Sequence, residues 1–318
     1  MTVKKIHIKK ISEIDKEKLE KFYQNSFQFE KTVLEDYNWR YRANFNEFEP
    51  LVLLIDNQLC GHAGLVPIKI KINEKEKNAI WFTDFFINPE HRSKGYGELL
   101  TEEWMKICPI QITFCNEQSL KVFKKFNWSS NSKVSRKIEF NNYLKILPIF
   151  RKPNQIKFNL DEIDDLKLME LNNATINEII NFNNNQLSAK SVNIVRDESW
   201  FKWRLLECPY KKKIYIFKLK EFFIITHIRF KNNLKILNIL YSSLPITYEV
   251  KKIFLKFSKK NNIDYMAYLT NEKKLLDNFL PWQKKLNFAY YSKDETVKNL
   301  LEARFNDAQM IDSDIDYV

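Results

Sequence analysis

The chain has 318 residues, 44% of them hydrophobic and 29% charged, which excludes a low-complexity or disordered polypeptide and allows a sizeable core. A formal net charge of +12 favours anionic partners such as phosphates and nucleotides, but the lysines are spread along the chain, so nucleic acid is not the expected partner. No apolar run approaches the roughly 18 residues of a membrane span, and "YLKILPIF" (143–150) is short and holds a Lys and a Pro.

The N-terminal "MTVKKIHIKKISEIDKEKLEKFY" carries the lysines of a secretion signal without its apolar core. Cys60, Cys108, Cys115 and Cys208 form no C-x-x-C pair. They read as lone thiols in a reducing compartment, with no metal site, and a cytoplasmic protein is expected. Residues 12–29 read as an amphipathic helix built on Leu19, Phe22 and Phe27. "LVLLID" (51–56) and "LCGHAGLVPIKI" (59–70) read as strands around a tight turn, followed by a charged loop at 71–78. "AIWFTDFFI" (79–87) is a further strand, and "GELLTEEWMKI" (97–107) has apolar residues on helical spacing with acidic residues near its start. "IQITFC" (110–115) reads as a strand, "NEQSLKVFKKF" (116–126) as a helix, and "KVSRKIEF" (133–140) as a strand closing this half. Strand, helix and strand in succession imply a parallel pair within a mixed sheet, so the first 140 residues form one α/β unit.

A second copy follows. "DYNWRYRANF" (36–45) matches "SWFKWRLLECPY" (199–210), "FINP" (86–89) matches "SSLP" (242–245), and "NE…KKFNW" (116–128) matches "NE…KKLNF" (271–288). Three matches in one order predict two related α/β halves joined near 145–160, as domains 1–147 and 148–318.

The whole chain has four glycines where ordinary usage would give roughly twenty. Two of them, Gly95 and Gly97, fall in "INPEHRSKGYGELL" (87–100), between a strand and a helix. A helix start there exposes unpaired N–H groups, the absent side chains let a phosphate approach the backbone, and Arg92 and Lys94 add positive charge. Gly61 and Gly64 lie in the same half, beside a strand turn.

"R-S-K-G-Y-G" after an apolar strand resembles the R/Q-x-x-G-x-G/A signature of GCN5-related N-acetyltransferases, the GNAT superfamily. "CNEQSLKVFKKFNW" resembles that superfamily's second motif, at a spacing typical of it. The resemblance covers residues 1–140 in detail and 160–290 only through the repeat, and it implies two tandem acyl-CoA N-acyltransferase folds of the mixed α/β class. It implies further that Arg92, Ser93, Lys94, Gly95, Tyr96 and Gly97 would wrap the pyrophosphate of acetyl-CoA. The edge of the strand at 82–87 would pair with pantetheine, and that strand would splay from 110–115. A backbone N–H near Phe86 or Ile87 would polarise the thioester. Asn116 would contact the pantetheine or the 3′ side of the cofactor, with Ser119 and Phe123 beside it. Phe123 stands where many members carry a Tyr that protonates the leaving thiolate, so the general acid does not carry over.

A neutral amine nucleophile calls for a base. Asp84, a carboxylate inside "WFTDFFI", is the leading candidate, its alternative being a structural carboxylate bonded to a neighbouring loop. His62 is the weaker candidate. The second half contains no glycine and reads "LPITYEVKKIFLKF" at the place of the phosphate loop, so it is expected to keep the fold without the CoA site. It would then supply core, or a wall of an acceptor pocket to which the Trp39-Arg40-Tyr41 and Trp203-Arg204 segments contribute. The expected reaction is N-acetyl transfer to a small-molecule amine, with an amino-sugar nucleotide as the acceptor the resemblance points to. A Fem-like aminoacyl transferase using charged tRNA and a non-catalytic acyl-CoA-binding protein are the alternatives.

Overall fold

The fold begins with an element that the charged N-terminus hides. In a computed structural model, which describes residues 5–26, 33–42, 48–141, 160, 163, 166–186, 192–271, 283–305 and 308–312, Ile6–Lys10 form strand β1 on the edge of β2 (Leu51–Ile55). The helix expected over 12–29 begins at Lys16 rather than Ser12, as α1 (Lys16–Ser26), and buries Leu19, Phe22 and Tyr23; Phe27 lies outside the described residues. After α2 (Val33–Arg40), strands β3 (Gln58–Ile72) and β4 (Lys75–Ile87) form one long hairpin. The charged loop expected at 71–78 is mostly strand, because Asn73 and Glu74, at φ 47° and 66°, close a tight turn between the strands. There follow α3 (Tyr96–Met105), β5 (Ile110–Cys115), α4 (Glu117–Lys124), β6 (Ser129–Asn131) and β7 (Ser135–Phe140).

The second half repeats the order. It contains β8 (Lys167–Met169), α5 (Asn173–Gln186), β9 (Val192–Ile194), α6 (Glu198–Phe201), β10 (Ile214–Leu219), β11 (Phe222–Lys231) and β12 (Leu234–Ser242). Then come α7 (Tyr248–Lys260), β13 (Tyr265–Thr270), β14 (Gln283–Lys285), β15 (Asn287–Ser292) and α8 (Glu295–Arg304). No helix among the described residues is long and apolar enough to cross a membrane.

Two mixed sheets result. One runs β1-β2-β3-β4-β5-β15-β6, with β9 on the far end of β3, and the other runs β8-β10-β11-β12-β13-β7-β14. The orders correspond strand for strand, and in each the expected parallel pair is present, β4 with β5 and β12 with β13. The sixth strand of each sheet comes from the other half of the sequence. β15 lies between β5 and β6, while β7 lies between β13 and β14. The strand at 133–140 thus completes the second sheet instead of closing the first; in each sheet the slot beside the parallel pair is filled by the chain returning from the other half. The junction expected near 145–160 falls almost wholly outside the described residues.

The repeated Trp-Arg segments meet at the centre. Trp39 Nε1–H donates to the Trp203 carbonyl at 2.8 Å, and Trp203 Nε1–H donates to the Trp39 carbonyl at 2.5 Å. Both rings are buried, and Arg204 stacks 4.0 Å from the Trp203 centroid and 5.6 Å from that of Trp39. Beyond α6 the chain turns as a π-helix over Lys202–Leu206, which carries Trp203 and Arg204 to this contact. Buried indole N–H groups need partners, and here each half supplies the acceptor for the other.

Trp203→Ala removes one ring and one of the exchanged bonds, and is expected to cost about 3–5 kcal/mol in urea denaturation. Residues 1–147 expressed alone would lack β15 and leave β5 and β6 without their shared partner; size-exclusion chromatography should show aggregation or unfolding where the full chain elutes as a defined species.

Candidate active site

A parallel pair needs continuous register, and β4 and β5 abandon theirs after two residues. Ile80 pairs with Gln111 and Trp81 with Ile112, and the Thr113 hydroxyl then donates to the Phe82 carbonyl at 2.6 Å. Beyond this link the strands diverge around a cleft of about 240 Å³, lined by Thr83, Asp84 and Phe85 on one side and by Phe114, Cys115 and Asn116 on the other. Its floor is aromatic. Phe82 stacks on Trp104 with centroids 4.0 Å apart, and Phe123 packs edge-on to Phe82 at 5.5 Å and face-on to Trp128 at 4.8 Å. Thr113 escapes notice in the sequence, although a polar residue inside "IQITFC" is a detectable signal.

Asp84 sits where β4 bulges. Register passes from His62–Phe86 to Gly64–Thr83, leaving Asp84 and Phe85 together opposite Ala63. Asp84 takes φ 49°, an uncommon conformation for a residue with a side chain. Its surroundings hold it there: the Tyr41 hydroxyl donates to Oδ2 at 2.8 Å, Arg40 Nη1 approaches the same oxygen at 3.4 Å, and His62 Nδ1 lies 2.9 Å from the backbone carbonyl. Asp84 thus joins the cleft and a polar network. Burial beside the carboxylate drives the Tyr41 phenol well above its ordinary pKa, so Tyr41 remains a donor. His62 is fully buried between Tyr23 and Tyr41, at centroid distances of 5.4 and 5.7 Å. Desolvation lowers its pKa and keeps the ring neutral. It is not among the residues that line the cleft.

Gly64 explains how Tyr41 comes so near. A Cβ at Gly64 would lie 2.7 Å from Tyr41 Cε1 and 2.8 Å from the Thr83 carbonyl oxygen, and one at Gly61 would lie 2.7 Å from Ile87 Cδ1. Both glycines are inside β3, not at its turn, and permit close packing against β4 and α2.

The turn after β4 is an open cradle. Ser93 and Gly95 take φ 59° and 82°, and Gly95 caps α3. Among the described residues, no backbone or side-chain acceptor meets the N–H groups of Ser93 through Glu98, a run of successive donors at a helix start. No atom lies within 4 Å of a Cβ placed on Gly95. A Cβ on Gly97 would stand 3.6 Å from the Phe85 ring, so the cradle adjoins the cleft. Arg92 is committed to the fold through Nε, which donates to the Ile87 carbonyl at 2.8 Å while the guanidinium covers the Phe86 ring at 5.6 Å. Lys94 Nζ donates to the Glu90 carbonyl at 2.7 Å, and the Tyr96 ring lies against His91.

Asn88 N–H donates to the Cys60 carbonyl at 2.8 Å, and antiparallel alternation makes His62–Phe86 the next hydrogen-bonded pair. The Phe86 N–H therefore faces β3, whereas that of Ile87 faces away from it. The Asn116 side chain caps α4 through Oδ1, which accepts from Ser119 N–H at 2.9 Å, and Asn116, Ser119 and Phe123 all line the cleft. Phe123 is wholly buried. Cys115 also borders the cleft, and burial together with Glu117 pushes its thiol up to about 12. Among the described residues no group of three or more His, Cys, Asp or Glu side chains is placed to hold a metal ion.

The second sheet has the matching divergence without the cradle. β12 and β13 pair over Ile236–Asn238 and Tyr265–Ala267 and then separate around a cavity of about 490 Å³. Pro245 has no N–H to offer in the connecting turn, and Thr247 caps α7, its Oγ1 accepting from Val250 N–H at 3.4 Å. The free end of β12 is taken by Gln309: Ser242 N–H donates to its Oε1 at 2.7 Å, and its Nε2 donates to the Ser242 carbonyl at 3.1 Å. Asp312, paired with Arg196 at 2.6 Å, anchors that segment.

Residues 11–128 match the model of the Acetyltransferase (GNAT) family. No curated protein sequence matches the chain. Among solved structures, the GCN5-related N-acetyltransferase of Kribbella flavida superposes with a TM-score of 0.60 at 9% identity, over 90% of this chain and 71% of that one. A GCN5-related N-acetyltransferase of Anabaena variabilis gives 0.59 at 16% identity over 94% and 75%. The N-myristoyltransferase of Saccharomyces cerevisiae, solved with bound myristoyl-CoA, gives 0.57 at 10% identity over 90% and 82%. At these identities the likeness is one of fold. Residues 11–128 thus carry a match to the GNAT acyltransferase family, and the two sheets fit a tandem arrangement of that fold.

Proposed function

We propose that this protein transfers an acetyl or other short acyl group from acyl-CoA to an amine, using the cleft between β4 and β5. The observation that carries the proposal is the adjacency of an open run of N–H donors, a splayed strand pair and the Asp84 carboxylate. The cradle at Ser93–Gly97 suits a pyrophosphate, with the open space over Gly95 admitting it to the backbone. Pantetheine would lie along the unpaired edge of β4, as an added strand does. Acyl-CoA is here a substrate.

The amine would attack the thioester carbon, forming the C–N bond as the C–S bond breaks. Asp84 would accept the proton the amine loses, and a backbone N–H of β4 would stabilise the oxyanion. Phe123 has no proton to give, so CoA departs as thiolate. Cys115, held as a neutral thiol, is a poor nucleophile, which favours direct transfer over an acyl-enzyme intermediate.

The Phe82–Trp104–Phe123 floor closes the cleft with stacked rings and favours a short acyl chain, in contrast to the myristoyl-CoA bound by the yeast protein of similar fold. The acceptor we favour is an amino-sugar nucleotide, since a net charge of +12 suits an anionic small molecule. The open cradle weighs against a Fem-like transfer from charged tRNA. A non-catalytic acyl-CoA-binding protein is the second reading, favoured by Phe123 at the place of the general acid; thiol release on a panel of amines separates the two.

Calorimetry should find one acetyl-CoA site per chain, because Gln309 takes the free backbone groups of Ser242 and Pro245 offers no N–H in the second turn. Gly95→Asp, which has room for its side chain but sets a negative charge in the cradle, should weaken binding by about tenfold or more relative to Gly95→Asn, which bears the same backbone strain at φ 82° without the charge. Binding equal to that of the unaltered protein would reject the site. Asp84→Asn should lower kcat by about 100-fold and leave the KM for acetyl-CoA within about twofold. Initial-rate patterns should intersect, as for direct transfer, and Cys115→Ser should preserve them.

A further inference from the structure

We infer that His62 is a positioning residue for acyl transfer: its side chain fixes the Asp84–Phe85 peptide so that the Phe85 N–H is presented to the cleft. The inference rests on the proposed acyl-transfer reading and assigns His62 a role other than that of a base.

The argument starts from hydrogen-bond chemistry. The partner of His62 Nδ1 is a carbonyl oxygen, which only accepts, so Nδ1 carries the proton and donates it across 2.9 Å. The donor is available because the ring is wholly buried and neutral, with Nδ1–H as the tautomer that serves the carbonyl. The chain has no cis peptide bond, and in a trans peptide the C=O and the N–H of the same plane point in opposite directions. A carbonyl drawn to His62 therefore turns the Phe85 N–H away from β3, on the side of β4 where β5 has already departed. Asp84 and Phe85 have no register partner on either neighbouring strand, so nothing in the ladders orients this peptide.

Asp84 holds a strained conformation at φ 49°, unfavourable for a residue that is not glycine, and regular β geometry would relieve it. Two contacts oppose that relaxation, Tyr41 from the side chain and His62 from the main chain. Tyr41 and Arg40 contact the carboxylate, and His62 grips the peptide itself. Losing its bond would free the peptide to rotate, swinging the N–H out of line with a thioester oxygen. Misorienting one such donor costs rate far more than binding, because the bond matures only as charge develops on the oxygen.

The test uses two variants of the full chain. Asn places its amide nitrogen where His carries Nδ1, so His62→Asn retains the donor, whereas His62→Leu fills similar space without one. His62→Leu should lower kcat by about 10- to 100-fold with the KM for acetyl-CoA within about threefold, and His62→Asn should recover kcat to within about fivefold of the unaltered protein. A second readout needs no turnover: the ¹H–¹⁵N resonance of Phe85 should move in His62→Leu and return toward its original position in His62→Asn. An unmoved Phe85 resonance, an undiminished kcat in His62→Leu, or a His62→Asn protein as slow as His62→Leu would each overturn the inference. If the unaltered protein neither binds nor turns over acetyl-CoA, the acyl-transfer reading fails, and the role of His62 in that reaction fails with it. A failure of the His62 variants alone leaves that reading standing.

Discussion

Two parallel strands that pair for two residues and then part are the constraint on which the rest of the structure depends. β4 and β5 cannot be pulled together past Trp81 and Ile112, because the bulge at Asp84 has already shifted the register of β4 and turned its backbone. The separation exposes an edge of main chain inside the protein, and the aromatic floor of Phe82, Trp104 and Phe123 keeps the gap from collapsing. Everything assigned to the candidate site lies on this wedge or at its rim. An unpaired strand edge is ordinarily a liability; here it is short and lies within the cleft.

The second half shows the same wedge put to another use. Its strands diverge in the same place, yet the edge of β12 is paired by a side-chain amide, Gln309, rather than left open. The Arg196–Asp312 pair, both partners nearly buried, holds the segment that supplies this amide. Such a pair stabilises mainly by avoiding the large penalty of an unpartnered buried charge, so it fixes position more than it adds energy. One half therefore offers its main chain outward, and the other consumes it internally. The exchanged strands β7 and β15, with the reciprocal Trp39–Trp203 bonds, tie the two halves into one folding problem. A mutation in the glycine-free half can thereby reach the first sheet through β15, which lies directly against β5.

Much of the first sheet was legible in the sequence. Apolar β-branched and aromatic runs placed β3, β4 and β5, helical spacing placed α3 and α4, and the scarcity of glycine drew attention to Gly95 and Gly97. The strand divergence was legible only through family resemblance. The network around Asp84 was not legible, since Tyr41 and Arg40 are more than forty residues away and nothing in their local pattern points to a carboxylate. The exchange of β7 and β15 was equally hidden, because a closing strand has the same alternation whichever sheet it closes. β1 was masked by its lysines, which an edge strand tolerates on its exposed face.

By itself, the sequence determined the local elements and the position of the phosphate-type turn, because those follow from spacing, from side-chain volume and from the backbone freedom of glycine. It also carries the expectation that the second half lacks an equivalent turn, since no glycine follows Gly97. The tertiary structure decided the role of each buried polar group. Whether Asp84 stands alone or in a network, whether His62 faces a cleft or a carbonyl, and whether a strand edge is open or filled by Gln309 all depend on residues brought together from distant parts of the chain. Hydrogen bonds of this kind are set by angles and distances that only the packed sheets define.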